Sequence, residues 1–229
     1  MDSRGGHTSA RHEMSGVIIR FRYWVAKVIY EIIFVMLVRD GSWQEEVFTL
    51  LAPKAGDRVL DFGPGSSSTA VSLALRYPQA AFVGVDPSSR AVEKARRTIL
   101  RKKLRNISMV SAPLQGNLPF DASSFDKAVC MLGFHDRSPE EKIRIAKEIA
   151  KVLRRGGTLH VADFDKPEDR GEGGILELAR RISGSAAAEP HMNGTWTEYL
   201  AKSGLAGVRR QSSHSIGIGR IAVVKARKR

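Results

Sequence analysis

The chain is predicted to be an α/β protein: a doubly wound, mostly parallel sheet whose last strand runs antiparallel. Three observations predict this. From Asp57 onward, strand-like and helix-like runs alternate, the sequence form of a parallel sheet with helices on both faces. A glycine turn, Gly63-Pro64-Gly65, follows the first apolar run directly. The last two strand-like runs have no helix between them, so they close the sheet as an antiparallel hairpin. A length of 229 residues, with 42% apolar and 27% charged side chains, is enough to bury one core and excludes disordered, collagen-like and solenoid chains.

Taken in order, residues 1–15 are polar and aperiodic and read as a loosely docked arm. From Val17 to Val38 the chain is almost wholly apolar but for Arg20, Arg22, Lys27 and Glu31. That is too much charge for a bilayer span, and at helical spacing Arg20, Lys27 and Glu31 share one stripe on an otherwise apolar helix. Residues 1–42 are therefore separated as an arm plus amphipathic helix from a main domain over 43–229. Arg58–Phe62 is the first strand, and the glycine turn leads into a helix over Thr69–Arg76. Ala81–Asp86 is the second strand, followed by a helix over Ser89–Leu104 that keeps Val92, Ala95, Ile99 and Leu100 to one side. Ile107–Val110 and Phe125–Leu132 are the third and fourth strands. Ser138-Pro139-Glu140-Glu141 supplies a cap, a first-turn proline and a capping-box glutamate for a helix that ends at Gly156-Gly157. Thr158–Phe164 is the fifth strand. Thr195 and Glu198 repeat the capping box before Tyr199–Lys202, and Gly207–Gln211 and Ile218–Val224 form the closing hairpin.

Composition also bears on partners. Thirty-seven Lys and Arg against 24 Asp and Glu leave a formal charge of +13, which favours an anionic partner without choosing between an acidic membrane surface and nucleic acid. The basic stretches are Arg90–Arg105, Lys142–Arg155 and Lys225–Arg229, and no acid follows Glu198. Cys130 is the lone cysteine and lies in an apolar strand, so it reads as a core residue in a reducing compartment. No Cys/His cluster has metal-ligand spacing, and the N-terminus lacks the pattern of a signal peptide. The expected location is the cytoplasm, with peripheral association at the inner face of a membrane as its extension.

The chemistry-bearing stretch is Val59-Leu60-Asp61-Phe62-Gly63-Pro64-Gly65, with Asp86 ending the next strand. Glycines at a strand tip let a ligand approach the backbone, and an acid at the end of the second strand suits the hydroxyls of a ribose. An NAD-type pyrophosphate fits poorly, because Asp61 would repel it and the glycine three positions after Gly65 is missing. On these residues the chain resembles the class I S-adenosylmethionine-dependent methyltransferases. Leu118-Pro119-Phe120 before Phe125-Asp126, and Leu153-Arg154-Arg155-Gly156-Gly157, resemble further signatures of that family. The resemblance implies a Rossmann-like, seven-stranded sheet with an N-terminal helical lid and S-adenosylmethionine as cofactor. It places Asp61 near the methionine amino group, Gly63, Pro64 and Gly65 against the methionine portion, and Asp86 with Pro87 at the ribose. Ala112, Pro113, Leu114 and Met131 would complete the cofactor site. Ser111-Ala112-Pro113 departs from the family's usual Gly-Asp-Ala, leaving adenine to the Ala112 backbone and Leu114.

Leu132-Gly133-Phe134-His135-Asp136 and Ala162-Asp163-Phe164-Asp165 look like the branch that contains ubiquinone and menaquinone methyltransferases and bacterial phospholipid N-methyltransferases. The acceptor is then a small or lipid-like molecule. His135 would act as base or orienter with Asp136 supporting it. The competing reading makes His135 a polar loop residue and Asp136 a helix cap. Tyr23, Tyr30, Phe134 and Asp163 are the expected acceptor contacts. The apolar N-terminal helix is read as a lid, with packing on the sheet or a homodimer contact as its alternatives. RNA methyl transfer or RNA binding, and non-catalytic cofactor binding, are the other functions carried, the first on charge alone.

Overall fold

The computed structural model describes residues 42–63, 69–113, 117–169, 171–217 and 219–229. The expected Val17–Val38 helix, with Tyr23 and Tyr30, lies outside them, as do Pro64, Gly65 and Leu114. The order of elements is α1 (Ser42–Leu51), β1 (Arg58–Phe62), α2 (Thr69–Arg76), β2 (Ala81–Asp86), α3 (Ser89–Arg101), β3 (Ile107–Ser111), β4 (Phe125–Met131), α4 (Pro139–Val152) and β5 (Leu153–Phe164). There follow a 3₁₀ turn (Gly171–Gly173), α5 (Gly174–Ser183), α6 (Ser185–Met192), α7 (Thr197–Ala201), β6 (Leu205–Ser215) and β7 (Arg220–Lys228). The strands form one seven-stranded sheet in the order β3-β2-β1-β4-β5-β7-β6. All pairs are parallel except those of β7, which runs antiparallel to both β5 and β6. This is the Rossmann-like sheet that the sequence predicts.

The sheet is buried on both faces, which is why its central strands are continuous apolar runs. On one face Val59, Val129, Ala162, Ile221 and Val223 pack with Trp43, Val47 and Leu51 of α1. Those helix positions recur at the four-residue spacing of one stripe. On the other face Leu60, Phe62, Cys130, Leu159, Val161 and Val224 pack with Ile145, Ala146 and Ile149 of α4. Each fully buried aliphatic side chain contributes about 1.5–3 kcal/mol.

Several boundaries differ from expectation for local reasons. The capping box at Ser138 and Glu141 forms, with both of its hydrogen bonds present. The box expected at Thr195 does not: Thr195 turns its hydroxyl to Asn193 Oδ1 at 2.7 Å, and Trp196 already has helical backbone angles. Helix α4 stops at Val152 rather than at the glycines, because Leu153 is extended and pairs with Phe125. The strand resumes pairing at Thr158 with Lys127, so residues 154–157 bulge against Asp126. A Cβ on Gly157 would stand 2.8 Å from the Asp126 carbonyl and 2.9 Å from that of Arg154, and only glycine fits there. The hairpin strands run longer than expected, at Leu205–Ser215 and Arg220–Lys228.

Candidate functional site

The parallel strands deliver Asp61 and Gly63, Asp86, Ala112, Met131 to Asp136, and Asp163 to one edge of the sheet. In open α/β sheets this carboxyl edge is where ligands bind. Asp61 is 1% exposed, and among the described residues neither carboxylate oxygen has a hydrogen-bond partner. Burial, helped by the negative charge of Asp86 and opposed by the Ala70 N–H at the start of α2, raises its pKa to about 7. The Ala70 N–H falls short of a full hydrogen bond, and a buried acceptor left so among the described residues costs about 1–3 kcal/mol. Gly63 turns the chain just beyond it with φ of +70°, its N–H bonded to the Val85 carbonyl at 2.9 Å. A Cβ on Gly63 would meet nothing within 4 Å. Among the described residues it is the backbone angle, not crowding, that demands glycine.

Asp86 is buried at the end of β2, where its Oδ1 accepts the Ser88 N–H at 2.8 Å. Its carbonyl accepts the Ala112 N–H at 3.2 Å, which pins Ala112 beside it. Pro87 and Pro113 are exposed at this edge, Ala112 is buried and Met131 is half-buried. An acid with no hydrogen-bond partner among the described residues, a glycine at the strand tip and a second acid one strand away suit a ligand with an ammonium at one end and ribose hydroxyls at the other. S-adenosylmethionine is such a molecule. The residues therefore fit the cofactor that the sequence predicts.

Beside this half lies a buried polar cluster. His135 is 3% exposed and Asp163 fully buried. His135 Nδ1 stands 3.0 Å from Asp163 Oδ1, while Asp163 also accepts the Phe134 N–H at 2.7 Å and the Phe164 N–H at 2.8 Å. Burial pushes the Asp163 pKa up, but His135, His191 and the backbone donor together outweigh it and hold the group below its ordinary value. The His135 ring meets Phe164 edge to face at 4.9 Å and His191 at 6.5 Å. His191 Nδ1 lies 2.6 Å from the Phe164 carbonyl, which places the proton on Nδ1. Burial lowers the His191 pKa to about 3, so the ring is neutral, and its Nε2 has no hydrogen-bond partner among the described residues. His191 stacks on Trp196, whose Nε1–H donates to Asp165 Oδ1 at 3.1 Å. Beneath the loop, the buried Lys142 ammonium donates to the carbonyls of Arg137 and Ala187. It thereby ties the His135 loop to α6.

Four expectations change here. Asp136 is exposed and pairs with Arg137 Nε at 3.2 Å; the carboxylate that holds His135 is Asp163, not Asp136. Asp163 itself is turned inward onto two backbone amides and the His135 ring, so it supports the site from below rather than offering a surface to an acceptor. Phe134 is 1% exposed and belongs to the core packed on α4. Lys142, expected within a basic surface run, is buried. The sequence held a signal for it: Lys142, Ile145, Ala146 and Ile149 fall on one helical stripe, and all four are buried.

Comparison with known proteins agrees with this geometry. A family model described as a methyltransferase domain matches residues 59–157. These residues are thus similar to a methyltransferase domain. The ubiquinone/menaquinone biosynthesis C-methyltransferase UbiE of Syntrophotalea carbinolica is 31% identical over 128 residues, covering 56% of this chain and 52% of that protein. The chain thus aligns with about half the length of that curated relative. Among solved structures, the YcgJ protein of Bacillus subtilis superposes with a TM-score of 0.64 at 19% identity, over 81% of this chain and 97% of that one. A SAM-dependent methyltransferase from Aquifex aeolicus gives 0.60 at 19% identity, over 80% and 88%. These structural likenesses establish the fold.

Proposed function

We propose that the protein moves the methyl group of S-adenosylmethionine to a small, lipid-like acceptor carrying a hydroxylated ring of the quinone type. The observation that carries this reading is the buried His135–Asp163 pair on the same sheet edge as Asp61, whose carboxylate has no hydrogen-bond partner among the described residues. Asp61 would take the ammonium of the cofactor, the Gly63 to Gly65 turn would lie along its methionine portion, and Asp86 would take the ribose hydroxyls. When bound, the cofactor supplies an electrophilic methyl on a sulfonium, and transfer needs positioning and exclusion of water more than covalent help. Asp163 holds Nδ1 of His135, so Nε2 is the nitrogen that accepts the hydroxyl proton of the acceptor. With that proton held at Nε2, the acceptor ring would be electron-rich enough to take the methyl group that the bound cofactor would supply, and His135 would hold the ring in place. Quinone chemistry is supported by the name of the Syntrophotalea relative. Residues 1–42, with Tyr23 and Tyr30, would form the lid over the acceptor.

The test is transfer of labelled methyl to reduced naphthoquinones by the purified protein, with and without anionic vesicles. Wild type transfers label, and His135→Ala loses about 10²–10⁴-fold in turnover while binding the cofactor as before. Unchanged turnover in that variant removes His135 from the chemistry; label confined to water-soluble metabolites removes the lipid-like acceptor. Vesicle dependence of the rate decides whether the protein works at a membrane surface.

A further inference from the structure

The opposite edge of the sheet has no part in the reaction above, yet it carries a recess of its own. A groove of about 540 Å³ is lined by Gly156, Thr158, Arg209, Gln211, Lys225 and Arg227, among others. A second, of about 380 Å³, shares Gly156 and Arg227 and adds Arg155, Lys228 and Arg229. The sheet register explains why these cations converge. Lys225 of the antiparallel β7 sits between His160 of β5 and Arg209 of β6, and Arg227 sits beside Thr158. Thr158 lies five residues down β5 from Asp163, about 17 Å at strand rise.

Charge in this recess is not neutralised from within. The other late cations have acids: Arg210 pairs with Asp165 and Arg220 with Glu168 and Glu172. Arg209, Lys225, Arg227 and Lys228 have no carboxylate within ion-pair distance among the described residues; Arg227 and Lys228 reach only the carbonyls of Gly156 and Ala150. Neither groove has an acid in its lining. Residues 1–41 hold six basic and four acidic side chains, so that segment brings no complementary charge.

We propose that this groove binds the phosphate backbone of single-stranded RNA. Two features favour a polyanionic strand over a lipid surface. The cations line a recess, whereas a bilayer meets protruding ones. Among the described residues the lining also has no large apolar or aromatic side chain to insert between lipids, although peripheral membrane segments combine charge with such anchors. Arg, Lys, Gln and Thr side chains are the usual partners of phosphate oxygens. With no ring to stack on a base, recognition follows the backbone and ignores sequence. The RNA is a tether and not the methyl acceptor, since the two sites occupy opposite edges of the sheet.

The experiment measures binding of labelled oligouridylate to the full chain by fluorescence anisotropy across salt concentrations, beside vesicles rich in phosphatidylglycerol. Wild type binds with log Kd changing by about 3 per tenfold change in salt, the slope for four phosphates on a single strand. The Arg209→Gln/Lys225→Gln variant weakens binding about tenfold or more and lowers the slope by about 1.4. Arg97→Gln/Arg181→Gln, which removes the same charge from cations paired with Glu93 and Glu177, stays within twofold of wild type. Equal weakening in both variants reduces the groove to net charge and overturns the proposal; so does tighter binding to the vesicles than to the oligomer. Cofactor affinity of the groove variant, unchanged from wild type, keeps this result separate from the methyl-transfer reading.

Discussion

Asp61 and Asp163 are two buried aspartates near the carboxyl ends of neighbouring parts of one sheet, and their surroundings drive them in opposite directions. Asp163 takes two backbone N–H groups and a histidine ring and is held below its ordinary pKa. Asp61 finds no hydrogen-bond partner among the described residues and is raised to about 7. Burial alone therefore does not set the charge of a carboxyl group; the donors arranged around it do. The satisfied aspartate is part of the framework. The other has no such framework among the described residues.

The sharpest way to break this contrast is to neutralise each aspartate. Asp163→Asn is expected to lower stability by about 3–5 kcal/mol, because the amide sets an N–H against the N–H groups that the carboxylate accepted. Urea unfolding at neutral pH measures it. Because Asp163 is held down, its stabilising effect is present above the unfolded pKa and is lost as pH falls through the folded value.

Asp61→Asn is expected to act with the other sign on the ligand-free fold. The fold favours the neutral form of Asp61, so its contribution is full below about pH 4 and is lost as pH rises to about 7. At pH 8 the asparagine variant should unfold about 2 kcal/mol later than wild type, yet bind the cofactor at least tenfold more weakly. Loss of stability together with full cofactor affinity would show that Asp61 is structural.

Smaller still is the proton count. A bound ammonium lowers the Asp61 pKa, so at pH 7 cofactor binding should release about half a proton and tighten as pH rises from 6 to 8. Calorimetry in buffers of different ionisation heat reads that number directly, and Asp61→Asn should abolish it. The least effect is expected from Lys142→Met, at about 1–2 kcal/mol, since the two carbonyls lose their donor while a costly buried charge is also removed. Burial lowers the Lys142 pKa to about 8. Wild type should therefore gain stability as pH rises above 8, through the range where only the unfolded chain still holds that proton, and the methionine variant should not.

What the sequence made legible follows the range over which each signal acts. Strands β1 and β2 and helix α2 stand where the apolar runs and the turn placed them, because each is bounded by local chemistry. The acids Asp61 and Asp86 were readable for the same reason. The partner of His135 was not: Asp163 lies 28 residues away, and sequence proximity pointed to Asp136. Helix α1 went unassigned because its signal is a short stripe, Trp43, Val47, Phe48 and Leu51, whose role appears only against the sheet. Helices α5 and α6 are interrupted by Gly184 and contain Pro190, residues that locally argue against helix. The edge strand β6 is largely exposed and polar along both faces, so no alternation marked its full length.

The indole of Trp196 lies flat against the His191 ring, at 5.1 Å and 9° between planes, with its N–H tied to Asp165. The protein thus carries an optical reporter next to the histidine cluster. In a Trp24→Phe/Trp43→Phe variant the emission comes from Trp196 alone, so loosening of α6, and with it the seating of the loop that holds His135, can be followed in solution without any label.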